Sequence, residues 1–280
     1  MADQSANERA LTYWDYIKLD ELLSLQQPRT AAHDEIQFIV VHQTFELWFR
    51  LAIHELRGAL EALAKNDLQQ GAHLLKRVAV ILRTSLNGFD PLMTMTMQGY
   101  AEFRDALHPA SGFQSSQFRI LEILLGIERV TSKEDQAKER FYWEAAVQTG
   151  ETFTNFMAKY QEQLLEDYET AKEQNLRRTM LRLTETATGL QGVAAYRHIF
   201  ANRDEHPLLL SLAESARDLQ QAVMDFRLSH HKVTVFTIGA HAAGTSDSHK
   251  DPVPSCAHYL ANVIREHSEI FPELEEAITN

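Results

Sequence analysis

The chain has 280 residues, of which 44% are hydrophobic, and this is enough for one large core or two smaller ones, because domains usually contain roughly 100–200 residues. Its 27 basic and 39 acidic side chains give a formal charge of -12, which repels phosphate backbones and anionic membrane surfaces. Composition and charge therefore indicate an ordinary globular protein and argue against nucleic acid or membrane as a partner.

Cysteine usage and the N-terminal residues indicate the compartment. Cys256 is the single cysteine, so no internal disulfide calls for an oxidising environment. Residues 1–8 lack the basic stretch and apolar run of a secretory signal, and no later segment has the ~20 uninterrupted apolar residues that span a bilayer. We therefore expect a cytoplasmic protein.

The spacing of apolar residues predicts an all-α fold. Apolar side chains recur every three or four residues, while the alternating Val/Ile/Thr runs typical of strands are almost absent. The seven prolines separate these periodic segments and do not interrupt them. With no internal repeat or low-complexity tract, we expect a single helical domain over residues 1–280.

In chain order, the first predicted helix runs from Tyr13 to Gln26 and begins with Thr12 and Asp15 as a capping box. The next four predicted helices are Asp34–Lys65, Leu68–Leu86, Gln98–Leu107 and Ser115–Ile127.

The second half of the chain predicts further helices and one long loop. The proline-free stretch Lys133–Phe200 predicts two or three helices, and Pro207 stands where the first turn of a helix tolerates it, opening a helix to about Thr237. Gly239–Ser255 is an extended polar loop, and loops of this length are more often functional. A last helix is predicted over Ala257–Ile278.

Several catalytic signatures are absent from the sequence. It has no phosphate-binding glycine loop and no His-Glu-x-x-His zinc motif. None of the thirteen histidines has a glutamate three residues before it, which argues against a di-iron helical bundle. A single cysteine allows neither a Cys-x-x-Cys-His heme attachment nor a four-cysteine iron–sulfur site.

One histidine interrupts the apolar stripe of the helix after Pro207. His230 falls in register with apolar residues at alternating four- and three-residue spacing, Leu212, Ala216, Leu219, Val223, Phe226 and Val233. A core histidine bonded to a carbonyl would fit this position. A neutral imidazole on such a face is also what axial ligation of heme iron requires.

The helix over residues 34–65 has the same feature. His42 is the one polar member of a stripe formed by Phe38, Phe45, Phe49, Ala52 and Leu56. The two histidines could form a hydrogen-bonded core pair, or a proximal ligand and a distal polar group on opposite sides of a flat cofactor. Periodicity alone leaves both interpretations open.

Tyr100 and Arg104 lie four residues apart and so share a helix face. A phenol and a guanidinium in this arrangement could hold a carboxylate. The alternative is a surface arginine paired with Glu102 or Asp105, which is a common and weak arrangement.

The order of these motifs resembles the tryptophan 2,3-dioxygenase family over most of the chain. LTYWDYIKLDELL (11–23) with QQP (26–28) resembles its N-terminal segment, and HDE (33–35) followed by Phe38 and HQTFELW (42–48) resembles its distal helix. Similar blocks follow at YxxFRD (100–105), SGFQS (111–115), FRLSH (226–230), IG (238–239) and GT (244–245).

The resemblance implies a helical, heme-binding bundle with a site between its long helices. His230 would be the axial ligand of heme b iron, and His42 the distal residue near the indole nitrogen. Tyr100 and Arg104 would hold the substrate carboxylate, and Phe38 would pack against the indole ring.

The resemblance also implies residues outside the central helices. Thr245 would contact the amino acid end of the substrate. Tyr13, Tyr16 and Ile17 would be contributed by a neighbouring subunit, since the family forms a homotetramer in which the N-terminal segment, here about residues 1–30, crosses over.

The implied reaction inserts both atoms of dioxygen across the indole C2–C3 bond of L-tryptophan and gives N-formylkynurenine. Two departures from the family pattern are Ser229 before the axial histidine and the glycine-poor segment 246–252. Alternatives are a heme monooxygenase acting on a modified tryptophan or other indole in natural-product biosynthesis, a heme protein that senses gas or stores cofactor, and a helical scaffold without heme.

Overall fold

The computed structural model describes residues 11–108, 110, 112, 115–127, 170, 174–240, 256–266 and 269–279. All regular elements in these residues are helical, which confirms the predicted all-α class. They are α1 (Tyr13–Ile17), α2 (Leu19–Leu23), α3 (His33–Ala64), α4 (Leu68–Leu86), α5 (Phe89–Leu92), α6 (Met97–Arg104), a 3-10 turn (Asp105–Leu107), α7 (Ser116–Leu125), α8 (Leu176–Thr188), α9 (Gly192–Ala201), α10 (Pro207–Ile238), α11 (Cys256–Glu266) and α12 (Pro272–Thr279).

Two long helices and the helix between them form the centre of the molecule. Helices α3 and α10 each have 32 residues, about 48 Å at the standard rise. Helix α4 packs against both of them, and its Leu75, Val78 and Leu82 are almost completely buried. No helix in the described part of the chain is long and apolar enough to cross a membrane.

On each long helix, one continuous apolar stripe packs into the core along one half of the helix and lines a cavity along the other half. The C-terminal half of α3 packs Leu56 and Ala59 into the core, and the N-terminal half of α10 does the same with Ala216 and Leu219. In the remaining half of each helix the stripe continues but faces a cavity. The histidines predicted to matter stand in these cavity-facing halves.

Two predicted helices are wrong because each is broken in the structure. The segment predicted as Tyr13–Gln26 divides into α1 and α2 at Lys18, whose left-handed conformation (φ 55°, ψ 47°) ends α1 with its N–H bonded to Trp14 O. The predicted last helix divides into α11 and α12, because Pro272 begins a new helix.

The other helices agree with the prediction at their ends. Helices α3, α4, α7 and α10 begin and end within two residues of the predicted bounds, and Thr12 accepts the Asp15 N–H as the predicted cap. Helix α6 ends at Arg104 and continues as the 3-10 turn. Most of the 133–200 segment and of the 239–255 loop lies outside the described residues.

Candidate functional site

A cavity of about 580 Å³ lies between the cavity-facing halves of α3 and α10, with α5, α6, α7 and α11 completing its wall. Its volume falls within the range of about 300–1,000 Å³ found for small-molecule and cofactor sites, and most of its lining is apolar. It therefore has the size and character of a binding site for a large apolar molecule.

Five phenylalanines form a contiguous group in the wall. The ring centroids of contacting pairs are 4.7–6.3 Å apart, the usual range for aromatic packing. The group consists of Phe45, Phe49, Phe89, Phe118 and Phe226. It connects the two cavity histidines, since Phe45 contacts the His42 ring and Phe89 stacks on the His230 ring.

The hydrogen bonding of His42 fixes which nitrogen carries its proton. Its Nδ1 lies 2.7 Å from the carbonyl oxygen of Phe38, and a carbonyl can only accept, so Nδ1 must donate. In the neutral ring, Nε2 is then an acceptor. Burial lowers the pKa of His42, while the Phe38 carbonyl and the Glu46 carboxylate oppose this effect. His42 is therefore a neutral hydrogen-bond acceptor in the cavity wall at neutral pH.

The environment of His230 keeps it neutral as well. Burial, together with charge repulsion from the nearby His42 and His231, lowers its pKa to about 4. A neutral imidazole has a lone pair on one nitrogen, which is the form that binds a metal ion. Both imidazoles line the same cavity.

A buried ionic network forms another part of the wall. Glu122 on α7 accepts hydrogen bonds from Arg227 on α10 at 2.9 Å and from Arg119 at 3.0 Å, and the Glu122 and Arg227 side chains are 2% and 4% exposed. Sequence analysis missed these residues. A carboxylate within the apolar run ILEILL (120–125) was the available signal.

Thr237 has a buried hydroxyl in the cavity wall that sequence analysis also missed. Thr237 lies two turns after His230 on the same face of α10 and lines the cavity. Its Oγ1 is buried and has no hydrogen-bond partner among the described residues. Buried hydroxyls are normally satisfied, so this atom is available to a polar group of whatever occupies the cavity.

Four of the predicted site residues meet at the cavity, namely Phe38, His42, Tyr100 and His230. The rings of Phe38 and His42 are 4.0 Å apart, and the Phe38 and Tyr100 rings are 5.9 Å apart. Arg104 lies one turn beyond Tyr100, partly buried, and is not among the described residues that line the cavity.

The remaining predicted site residues are not among the described residues that line the cavity. Thr245 is outside the described residues. Tyr13 and Tyr16 on α1 are 66% and 75% exposed, and Ile17 is partly exposed. Within one chain, then, α1 presents its aromatic side chains to solvent and not to the cavity.

Comparison with known proteins identifies the family. The family model described as tryptophan 2,3-dioxygenase matches residues 1–166, more than half of the chain. A tryptophan 2,3-dioxygenase of Herpetosiphon aurantiacus is 35% identical over 274 residues, covering 95% of this chain and 96% of the relative. The chain belongs to the tryptophan 2,3-dioxygenase family. As a member of this family it is an oxidoreductase.

Other members of the tryptophan 2,3-dioxygenase family match to different extents. One from Bacillus cereus is 34% identical over 269 residues, covering 94% of this chain and 90% of the relative. One from Anaeromyxobacter sp. (strain K) is 50% identical over 126 residues, and this alignment spans only about half of each protein, 45% of this chain and 48% of the relative.

The depressed pKa of His230 predicts how stability depends on pH. In the unfolded chain a histidine has a pKa of about 6.5, so between pH 6.5 and 4 the unfolded state binds the proton and the folded state does not. Stability should therefore fall as the pH falls through this window, by up to about 3 kcal/mol from this residue. Replacing it, His230→Phe, should remove that part of the pH dependence.

Urea unfolding of the chain without added cofactor at pH 7, 5.5 and 4 measures the effect. The stability of the wild type relative to His230→Phe should decrease steadily from pH 7 to pH 4. His54→Gln, which replaces an exposed histidine of α3, is measured in parallel as the matched control. Parallel curves for wild type and His230→Phe would contradict the buried, neutral state of His230.

Proposed function

We propose that the chain binds heme b through His230 and uses dioxygen to open the indole ring of L-tryptophan between C2 and C3, giving N-formylkynurenine. The observation that carries this proposal is a largely apolar cavity of about 580 Å³ with two neutral imidazoles in its wall, in a member of the tryptophan 2,3-dioxygenase family. The substrates of the relatives support tryptophan and dioxygen for this chain too.

The described residues suit heme. His230 offers a neutral imidazole of the kind that ligates heme iron, the phenylalanine group offers apolar walls for a flat macrocycle, and Thr237 offers a buried hydroxyl without a partner. When bound, the heme would supply the dioxygen chemistry that protein side chains lack. The contribution of the chain is then to hold and orient the reactants.

His42 would orient the indole by accepting a hydrogen bond. Its Nδ1 proton is committed to the Phe38 carbonyl, which leaves Nε2 as an acceptor, and an indole N–H is a donor only. Because burial lowers the pKa of His42, it stays in this acceptor form at neutral pH. One neutral hydrogen bond contributes about 0.5–1.5 kcal/mol, which suits orientation of the ring.

The other side chains proposed to contact the substrate would fix its ring and its charged end. Phe38 would pack against the indole, while Tyr100 and Arg104 would hold the carboxylate, the phenol lining the cavity and the guanidinium one helical turn away. Thr245 would contact the amino acid end. Fixing both ends of the substrate reduces the entropy lost on reaching the reactive geometry.

We further propose a homotetramer in which Tyr13, Tyr16 and Ile17 complete the site of a neighbouring subunit. The exposed aromatic residues of α1, which include Trp14 at 58% exposure, support this assembly because large apolar side chains are rarely left in solvent together. A tetrameric mass in sedimentation equilibrium is expected, and a monomer or dimer would remove this part of the proposal.

The reaction is tested by product mass. The heme-loaded chain is reduced without oxygen and then given L-tryptophan and ¹⁸O-labelled dioxygen. We expect one product that contains two labelled oxygen atoms. A product with one labelled atom would identify a monooxygenase, and heme binding with unchanged tryptophan would indicate a gas-binding or heme-storing protein.

The His230→Ala variant tests the assigned ligand in the same experiment. It should lose stable ferrous heme and the absorption bands of axial histidine, because neutral histidine is a strong ligand for heme iron. His231 is adjacent but about 100° round the helix, so His231→Ala is the matched control and should retain heme. Unchanged axial-histidine spectra in His230→Ala would overturn the assignment.

Arg104 provides a test of substrate binding. If its guanidinium holds the substrate carboxylate in a dry pocket, Arg104→Met removes a charge-assisted contact and should cost roughly 2–5 kcal/mol in kcat/KM. This is a fall of roughly 30-fold to several thousand-fold in kcat/KM for tryptophan, since each tenfold corresponds to ~1.4 kcal/mol. Heme spectrum and melting temperature should be unchanged.

Indoles without a carboxylate should be much less sensitive to Arg104→Met. A surface ion pair would instead contribute at most about 1 kcal/mol of stability and nothing to turnover. Near-normal kcat/KM with tryptophan in a folded Arg104→Met protein would therefore remove Arg104 from the site.

A further inference from the structure

Three potential metal ligands converge at the turn between α9 and α10, outside the cavity wall. His198 lies in the last turn of α9, and Glu205 and His206 immediately precede Pro207, the first residue of α10. One ligand atom from each of the three lies within 4.8 Å of the other two. The two imidazole ring centroids are 5.6 Å apart, and the ring planes are tilted by 58° to each other.

The backbone of this turn is well defined. Asn202 N–H donates to His198 O at 2.9 Å, and Glu205 N–H donates to Asn202 O at 3.1 Å. Pro207 fixes φ at the start of α10, and the side chain of His206 at the N-cap makes no capping hydrogen bond. The hydrogen bonds and the proline fix the backbone that carries the three side chains before any ion binds, which lowers the entropy lost on binding.

The ligand types select the class of ion. Two imidazoles and one carboxylate, with one side open to solvent, are the three protein ligands of an open zinc site that keeps a water as its fourth ligand. Imidazole suits Zn²⁺ and related transition metals, whereas Mg²⁺ and Ca²⁺ prefer oxygen ligands. The formal charge of -12 also favours the approach of a cation.

Small side-chain rotations are enough to close such a site. Zinc–ligand bonds of about 2.0–2.1 Å place two tetrahedral ligand atoms roughly 3.3 Å apart. In the structure the three ligand atoms lie within 4.8 Å of one another. Glu205 is exposed, so its carboxylate can move by the required ~1.5 Å without disturbing packed atoms.

We infer that His198, Glu205 and His206 bind one Zn²⁺ or chemically similar divalent ion, which links the end of α9 to the start of α10. The ion stabilises the folded chain because the unfolded chain does not hold the three ligands together. Since α10 also carries His230, the ion would anchor the helix that supplies the cavity with its proposed metal ligand.

Asn202 competes with this ion. Its Nδ2 lies 3.3 Å from His198 Nδ1 and 2.9 Å from His198 O. An amide that donates to Nδ1 keeps the ring proton on Nε2, whereas ligation through Nε2 needs that proton on Nδ1. The Asn202→Ala variant should therefore bind the ion at least as tightly as wild type does.

Isothermal titration of the EDTA-treated, dialysed full chain with Zn²⁺ tests the site. We expect one equivalent whose Kd is raised about tenfold or more by His198→Ala or His206→Ala, but not by His54→Ala, which removes an exposed histidine of α3. Zn²⁺ should raise the melting temperature of wild type and not that of the double variant His198→Ala/His206→Ala.

Each other outcome overturns the inference. If the double variant binds Zn²⁺ with the affinity and stoichiometry of wild type, the ion binds elsewhere, for example at His42 and His230 in the cavity. If Asn202→Ala also loses Zn²⁺ binding, the histidine variants lose it because the turn is disrupted and not because a ligand is removed. Should the double variant not fold, Glu205→Gln replaces an exposed side chain, and unchanged Zn²⁺ affinity in that variant would equally exclude the site.

Discussion

The packing of α4 against only part of each long helix is the constraint on which the rest of the structure depends. Helices α3 and α10 extend for about 48 Å each, while α4 has 19 residues. Where α4 packs, small and branched residues close the core. Beyond it, five phenylalanines, two histidines and shorter helices surround a cavity. Core and site are thus consecutive parts of the same two apolar stripes, one on α3 and one on α10. The core therefore holds in place the helices that carry the cavity-facing side chains.

Desolvation determines the chemistry of that cavity. The apolar surroundings that make a charged imidazole unfavourable lower the pKa of both His42 and His230, so each stays neutral at neutral pH. The two nevertheless differ in use. His42 has its Nδ1 proton committed to the Phe38 carbonyl and presents an acceptor, while His230, beside the rings of Phe89 and Phe226, suits metal ligation.

The buried ionic network shows why part of the site is invisible to sequence analysis. Glu122 and Arg227 are 105 residues apart in the chain, and only the tertiary arrangement of α7 and α10 brings their side chains together. Each charge alone would be costly to bury, and together they remain charged within an apolar wall. A sequence pattern can mark Glu122 as unusual, but it cannot identify a partner so distant in the chain.

The sequence by itself determined the all-α class, the bounds of the long helices and the stripes that carry His42 and His230, because these follow from local periodicity. Its family resemblance supplied the roles proposed for them. Tertiary structure decided whether the two stripes face one cavity, which groups keep the imidazoles neutral, and that Arg104 lies outside the described wall. It also decided the break at Lys18, since a non-glycine residue in the left-handed conformation has no sequence signal. Such features depend on contacts between segments far apart in the chain, which local spacing does not encode.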